Sequence, residues 1–337
     1  MHLKRRRHLL ISFTWRLIAC AAIFVLPTLI AAQEQNPSSK PADEKSDGAV
    51  QAQMRNVIFR FTDDVAVHIK SMNGALLPAG GNDFPVFDDK SSFILRIDAG
   101  EVTITAQDLG NVLNSYVFAR PGAPLAGISV SIDKNLLKIK GRLRGKGEIP
   151  FETQGTLSLT PEGKVRLHTE KVKALGVPVK GLMDTLGIEI ADLIKSGKVP
   201  GVGTQENDLI LDLSTVLPPP HIQGKVVSIR IEGNYIVLVF GDSGTKAAKL
   251  QNRNYMAFKG NRLRFGKLTM DGADVTLFDM DPQDPMVFFL DHYRDQLAAG
   301  YTKISSNFAL RVYIKDFDKL DKPAAAASKE SKKESQD

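Results

Sequence analysis

Leu136–Lys146 reads LLKIKGRLRGK, and its period of two decides the fold. Lys138, Lys140, Arg142, Arg144 and Lys146 alternate with Leu137, Ile139, Gly141, Leu143 and Gly145. Successive side chains of a β-strand point to opposite faces, so this stretch sets a cationic ladder on one side and an apolar row on the other. A helix would scatter the same residues around its circumference. The alternation returns at Lys164-Val165-Arg166-Leu167-His168, so neighbouring strands are expected to join a basic outer face to an apolar lining.

Working outward, the pattern persists. Val57–Phe61, Ser92–Ile97, Glu101–Thr105, Gly127–Ile132, Gly155–Leu159, Val165–Val172, Leu209–Leu213, Val226–Ile231 and Tyr235–Phe240 are short alternating runs. Turn residues separate them, as at Asp98-Ala99-Gly100, Asp133-Lys134-Asn135, Pro161-Glu162-Gly163 and Glu232-Gly233-Asn234. Such a series is the signature of an antiparallel sheet. Two stretches break it with helical spacing. In Ala106–Phe118, Leu109, Val112, Leu113, Tyr116 and Val117 share a face, and Thr105 or Asp108 can cap the start. In Val179–Ser196, Leu182, Met183, Leu186, Ile190, Leu193 and Ile194 form a stripe ended by Gly197, while Gly181 and Gly187 make the helix depend on packing. The expected fold is β-rich α+β, a long curved antiparallel sheet wrapping one or two helices, with a smaller α+β subdomain at the C-terminal end. There, Tyr255–Phe278 alternates around a turn at Lys259-Gly260-Asn261, Asp281–Ala299 is expected to form a short helix, and Phe308–Ile314 a last strand.

The ends differ from the middle. Of 337 residues with 44 Lys+Arg, 38 Asp+Glu and a formal charge of +6, residues 1–32 hold five of the bases and none of the acids. The excess is therefore an address and not a nucleic-acid footprint. Basic Met1–His8 followed by apolar Leu17–Ala32 has the order of a secretory signal, so we expect cleavage near Ala31 or Ala32 and a periplasmic or secreted protein. The alternative is an uncleaved anchor over Leu9–Ala32, against which Arg16 and Pro27 weigh. Leu17-Ile18-Ala19-Cys20 resembles a lipoprotein acylation site, but its apolar run follows the Cys instead of preceding it. Polar residues 33–53 read as a disordered spacer and residues 321–337 as a disordered tail. The expected division is then 54–240 as the curved-sheet domain and 241–320 as the subdomain.

Composition excludes several chemistries. Cys20 is the only cysteine and lies inside the signal, which removes a Cys nucleophile, CxxC redox chemistry and thiolate zinc from the exported part. Gly241-Asp242-Ser243-Gly244 matches a serine-protease string, but no triad partner is identifiable and a turn fits better. Asp279, Asp281 and Asp284 cluster as a calcium loop might need, yet lack the ligand number and the Gly. His68, His168, His221 and His292 lack zinc-helix spacing, and no phosphate-cradling glycine motif occurs. No catalytic residue, metal or cofactor is expected.

What remains is apolar surface. Two helices are too few to cover the inner wall of so wide a sheet. Drawing an acyl chain out of water is worth about 0.8 kcal/mol per methylene, so a groove that holds one contributes on the order of 10 kcal/mol. The ordered elements also resemble a known family. Ile97–Leu109 (IDAGEVTITAQDL), the pair Leu113-Asn114, Ile139–Leu143 (IKGRL), Val177–Leu182 (VPVKGL), Leu211–Pro220 (LDLSTVLPPP) and Tyr235–Phe240 (YIVLVF) follow one another as in the LmeA-type phospholipid-binding domain of bacterial envelopes. That domain is related to TULIP-like and AsmA-like lipid carriers, and the resemblance covers about residues 93–241. It implies a non-enzymatic envelope carrier of phospholipid or another acyl lipid. Leu137, Ile139, Leu143, Leu182, Met183, Leu186, Ile190 and Leu193 are expected to line the groove. Lys138, Lys140, Arg142 and Arg144 are expected to meet anionic headgroups or an anionic membrane surface. Nucleic acid is not expected, since the strands lack exposed aromatics for base stacking. Two other readings stand beside this one: an assembly factor that meets an envelope protein through 241–320, and an envelope-polymer hydrolase using Asp279, Asp281 or His292.

Overall fold

A computed structural model describes residues 48–144, 148–169, 173–174, 199–205, 208–241 and 253–320. The segment expected to be a signal, the expected second helix with Leu182, Met183, Leu186, Ile190 and Leu193, Lys146, Asp242–Gly244 and residues 321–337 lie outside the described residues.

The chain builds two sheets in three passes. Strands β1 (Val50–Arg60), β2 (Ala66–Pro78) and β3 (Phe93–Thr105) form an antiparallel meander. Helix α1 (Ala106–Val112) and a π-helical turn (Leu113–Val117) follow. The second pass is β4 (Leu125–Asp133), β5 (Leu136–Arg144), β6 (Glu148–Leu159), β7 (Val165–Thr169), β8 (Lys173–Ala174), β9 (Val202–Gln205) and β10 (Asp208–Leu211). These make a smaller sheet in the order β4-β5-β6-β7-β10-β9, with β8 on β6. One-turn helix α2 (Leu213–Val216) returns the chain to the first sheet. That sheet then gains β11 (His221–Gln223), β12 (Val226–Glu232), β13 (Tyr235–Phe240), β14 (Tyr255–Phe265), β15 (Leu268–Asp279) and β16 (Met286–Phe289). After helix α3 (Tyr293–Ala298), β17 (Tyr301–Ile304) and β18 (Leu310–Ile314) complete it. The large sheet runs β12-β13-β3-β2-β1-β14-β15-β18-β17, with β11 on β3 and β16 on β1. The fold is β-rich α+β, as the alternation predicts.

Several boundaries differ from expectation, each for a local reason. The spacer ends early: β1 starts at Val50, and Val50, Ala52 and Met54 are buried on its core side while polar Gln51 and Gln53 mask that alternation in the sequence. Asp98-Ala99-Gly100 is no turn. Asp98 is the extra residue of a bulge inside β3, so the core-facing side passes from Leu95 and Ile97 to Val102 and Ile104. Gly100 lets the strands approach there, because a Cβ would stand 2.5 Å from the Ser71 carbonyl oxygen. Lys259-Gly260-Asn261 likewise runs within β14, and the chain reverses instead at Gly266, whose φ is +56°. The expected 281–299 helix is β16, a 3-10 turn and then α3. Residues 253–320 are continuous with the first meander: β14 pairs with β1 from Val50↔Gly260 to Arg55↔Tyr255, so the division at 240/241 cuts through one sheet.

Helix α1 starts as its sequence dictates. The Thr105 hydroxyl accepts from the Asp108 amide at 3.0 Å, and the Asp108 carboxylate accepts from the Ala66 amide at 3.0 Å, which fixes the helix to β2. Asn114 holds the other end. Its amide donates to the Ile128 carbonyl at 2.6 Å and its oxygen accepts from the Ile128 amide at 2.8 Å, which locks the π-turn to β4. The two sheets are thereby joined at one end through this short helical segment.

Candidate functional site

The core-facing side of the large sheet is unevenly covered. Beneath β1, β14 and β16 it is tightly packed: Met54, Met72, Phe258, Leu263 and Phe288 are at most 1% exposed, and Phe87 stacks on Phe265 with ring centroids 4.2 Å apart. Beneath β2, β3, β12 and β13 it faces the small sheet across a slot. Phe59, Val67, Ile69, Leu95, Val102, Ile104, Ile236 and Leu238 form one wall, and Ile128, Val130, Leu137, Ile139, Leu167 and Leu209 the other. Every lining residue among those described is Phe, Leu, Ile or Val. Exposure of the wall residues runs from 1% at Leu137 to 8% at Leu238.

The enclosed space between the sheets amounts to about 100 Å³. Among the described residues no polar side chain lines the slot, so it offers apolar contact without side-chain hydrogen bonds. Among the lining residues, Leu109, Leu113, Val202, Leu213 and Leu217 are half-exposed, and they mark where the π-turn, β9 and α2 bring the lining toward solvent.

The predicted groove residues separate into three groups. Leu137 and Ile139 line the slot. Leu143 is buried at 6% but is not part of the lining. Here Phe151, directly across from Gly141 in the β5–β6 register, fills the wall. A Cβ on Gly141 would stand 2.8 Å from the Phe151 ring, so the glycine is what admits the aromatic. The remaining five, on the second helix, lie outside the described residues.

Lys140, Arg142 and Arg144 are exposed and Lys138 is half-exposed, on the side of β5 opposite the slot. The relief of their mutual repulsion, expected from an external anion, is partly internal. Glu152 on β6 sits 3.3 Å from both Lys138 and Lys140, and Glu148 sits 3.2 Å from Arg142 and 4.0 Å from Arg144. Lys140 and then Lys138 hold the Glu152 carboxyl below the usual carboxylate range. Four cations against two carboxylates leave an outer face that is positive but cross-linked. The second basic run is paired further: Asp208 meets His168 at 2.5 Å and Arg166 at 3.6 Å, and Asp212 meets Lys164 at 3.1 Å. Glu148 and Glu152 were legible, since they alternate with Ile149 and Phe151 directly after the ladder and one hairpin brings them alongside it.

Comparison with family models, with curated proteins and with solved structures finds no match. The reading of the site therefore rests on its own geometry.

The acids considered for catalysis or metal binding have structural partners. Asp279 is 1% exposed and accepts from Asn254 at 2.7 Å; burial pushes its carboxyl up to about 6, and the Asp316 and Asp284 charges add to the effect. Asp281, Asp284 and Asp316 surround the Lys319 ammonium at 2.9, 2.9 and 3.0 Å, an internal cation where a metal was considered. His292 pairs with Asp295 at 3.3 Å and packs between Phe289 and Phe317. His68 lies 2.8 Å from the Asn56 side-chain oxygen, and burial followed by the nearby Lys70 charge lowers its pKa. Among the described residues no group of three or more His, Cys, Asp or Glu is arranged to hold a metal ion.

Proposed function

We propose that this chain binds the acyl tail of a phospholipid or another acyl lipid in the slot between its two sheets, as an exported, non-catalytic protein of the cell envelope. The observation that carries the reading is the lining: among the described residues, apolar side chains from both sheets face one space between them without a polar interruption. Tail burial worth about 0.8 kcal/mol per methylene drives uptake, and the headgroup stays outside, where water and surface charge receive it. The residual positive charge of Lys138, Lys140, Arg142 and Arg144 turns the outer face of the small sheet toward anionic membrane during loading or release. The amino-terminal signal and the order of motifs across residues 93–241 agree with this assignment. The role in this reading is that of a lipid carrier in envelope biogenesis or maintenance.

The test is organic extraction of the purified protein followed by mass spectrometry, together with titration of the delipidated protein with a fluorescent fatty acid. A stoichiometric acyl lipid and saturable, apolar-competed uptake are expected. A clean extract combined with no uptake would refute the proposal.

A further inference from the structure

The wall that β5, β6 and β7 turn toward the slot is apolar up to one corner. Val165 and Leu167 line the slot, and the next inward position on β7 is Thr169. Thr169 is 5% exposed, and its Oγ1 is fully buried with no hydrogen-bond partner among the described residues. A buried hydroxyl left unpaired is destabilising, and native folds keep few of them. Valine has the same branched shape and suits a strand equally well, so neither packing nor strand propensity accounts for the hydroxyl. Register sets Thr169 opposite Gly155, and Gly155 opposite the lining residue Leu137. A residue without a side chain thus stands between the hydroxyl and the lining. It cannot be larger, because a Cβ there would lie 2.3 Å from the His168 carbonyl oxygen. Among the described residues no charged side chain occupies an inward position of β4 to β7. Lys138, Arg166 and His168 alternate to the outer face, where Asp208 pairs with the last two.

We infer that the Thr169 hydroxyl anchors the ester carbonyl of an acyl chain held in the slot, which makes the preferred ligand an esterified lipid and not a free fatty acid. The inference rests on the tail site proposed above and adds the group that the tail carries. An acyl lipid has a carbonyl at the head of its tail, and a threonine hydroxyl donates to it directly. An alkyl chain alone would leave the hydroxyl unpaired. A carboxylate would accept the same hydrogen bond, but it would bring a charge to a wall that offers no cation, and burying an unpaired charge costs far more than burying a neutral ester. From Thr169 the methylenes follow Leu167 and Val165 along β7.

The probes are methyl palmitate isotope-labelled at its carbonyl carbon, palmitate, and an alkane of equal chain length, each titrated into the delipidated full chain by calorimetry, with infrared spectroscopy of the labelled ester. The parent should bind the ester more tightly than palmitate at neutral pH, and the ester carbonyl stretch should fall to the frequency of a hydrogen-bonded ester. Thr169→Val should weaken the ester roughly three- to ten-fold, the range of one neutral hydrogen bond, return the stretch to its apolar position and leave the alkane unchanged. Thr169→Ser should keep the parent's affinity and stretch. Because Thr169→Val loses an unpaired hydroxyl and keeps the shape, it should melt no lower than the parent. The stretch in the parent complex decides the point even where the valine variant is unstable. If neither ester nor alkane binds the parent, the tail site falls and this assignment with it. If both bind, but the valine variant holds the ester as tightly as the parent or the stretch is that of a free ester, the tail site stands and Thr169 anchors nothing. Palmitate binding more tightly than its ester would overturn the ligand class.

Discussion

Filling the slot from within separates a ligand site from ordinary packing. Val67 on β2 faces the slot and is 6% exposed, whereas Val57, one turn of the alternation away on β1, is fully buried in contact with the packed half. An unfilled cavity destabilises by about 24 cal/mol per Å³, so a slot of about 100 Å³ costs the lipid-free protein about 2 kcal/mol. Val67→Phe should place its added ring in that space and recover about 1 kcal/mol, raising the melting temperature of the delipidated protein by about 2 °C. The same ring should abolish uptake of a fluorescent fatty acid. Val57→Phe, by contrast, meets close-packed neighbours and should destabilise by about 1–3 kcal/mol. Differential scanning fluorimetry with and without fatty acid reads both quantities. If Val67→Phe destabilises as much as Val57→Phe, the space beside Val67 is not available. If it is stable yet takes up fatty acid as the parent does, the tail binds elsewhere, and the proposed function is wrong.

Other consequences are equally open to measurement. Lys140→Glu with Arg142→Glu should weaken binding to anionic vesicles by about 1 kcal/mol per residue at low salt and by less at high salt; unchanged sedimentation with vesicles would remove the ladder from the membrane contact. Gly141→Ala should cost about 1–3 kcal/mol in urea unfolding, because the fully buried Phe151 ring has nowhere to retreat; a neutral effect would show that the β5–β6 contact is loose. Asp279 titrates near 6 in the fold against an ordinary value of 3.8, so its contribution to stability is complete below the unfolded value and is lost as pH rises through 6. The loss is on the order of 2–3 kcal/mol. Asp279→Asn should remove that slope whatever constant offset it brings, and parallel stability–pH curves for parent and variant would contradict the assignment.

How far the sequence foretold this arrangement depended on the range of the interaction. The β5 ladder was legible because alternation is a local property, and Leu137 and Ile139 point inward as the period requires. The Thr105 cap was legible for the same reason. Asp98-Ala99-Gly100 and Lys259-Gly260-Asn261 misled because Gly serves a bulge or a close strand approach as well as a turn, and only the partner strand decides which. The pairing of β1 with β14 was illegible, since nothing in either strand names the other. Leu143 failed as a lining residue because Phe151, a residue of the neighbouring strand, takes up the space beside it. The partial neutralisation of the ladder was readable from Glu148 and Glu152, provided that β6 is extended back to Glu148.

The pairing of β1 with β14 also sets an order of assembly. The side-chain amide of Asn56 donates to Asn254 at 2.8 Å across 198 positions of sequence, whereas β4 through β7 are joined by successive hairpins. Closing a long loop is entropically expensive and slow relative to zipping neighbours, so the inserted small sheet should mature early and β1, already paired with β2, should keep its other edge open until β14 is made. During that wait the edge of β1 that later meets β14 and β16 is unpaired. A chaperone that shields the open edge of Val50–Arg60 would raise the yield of folded chain more than one acting on the locally paired β4–β7.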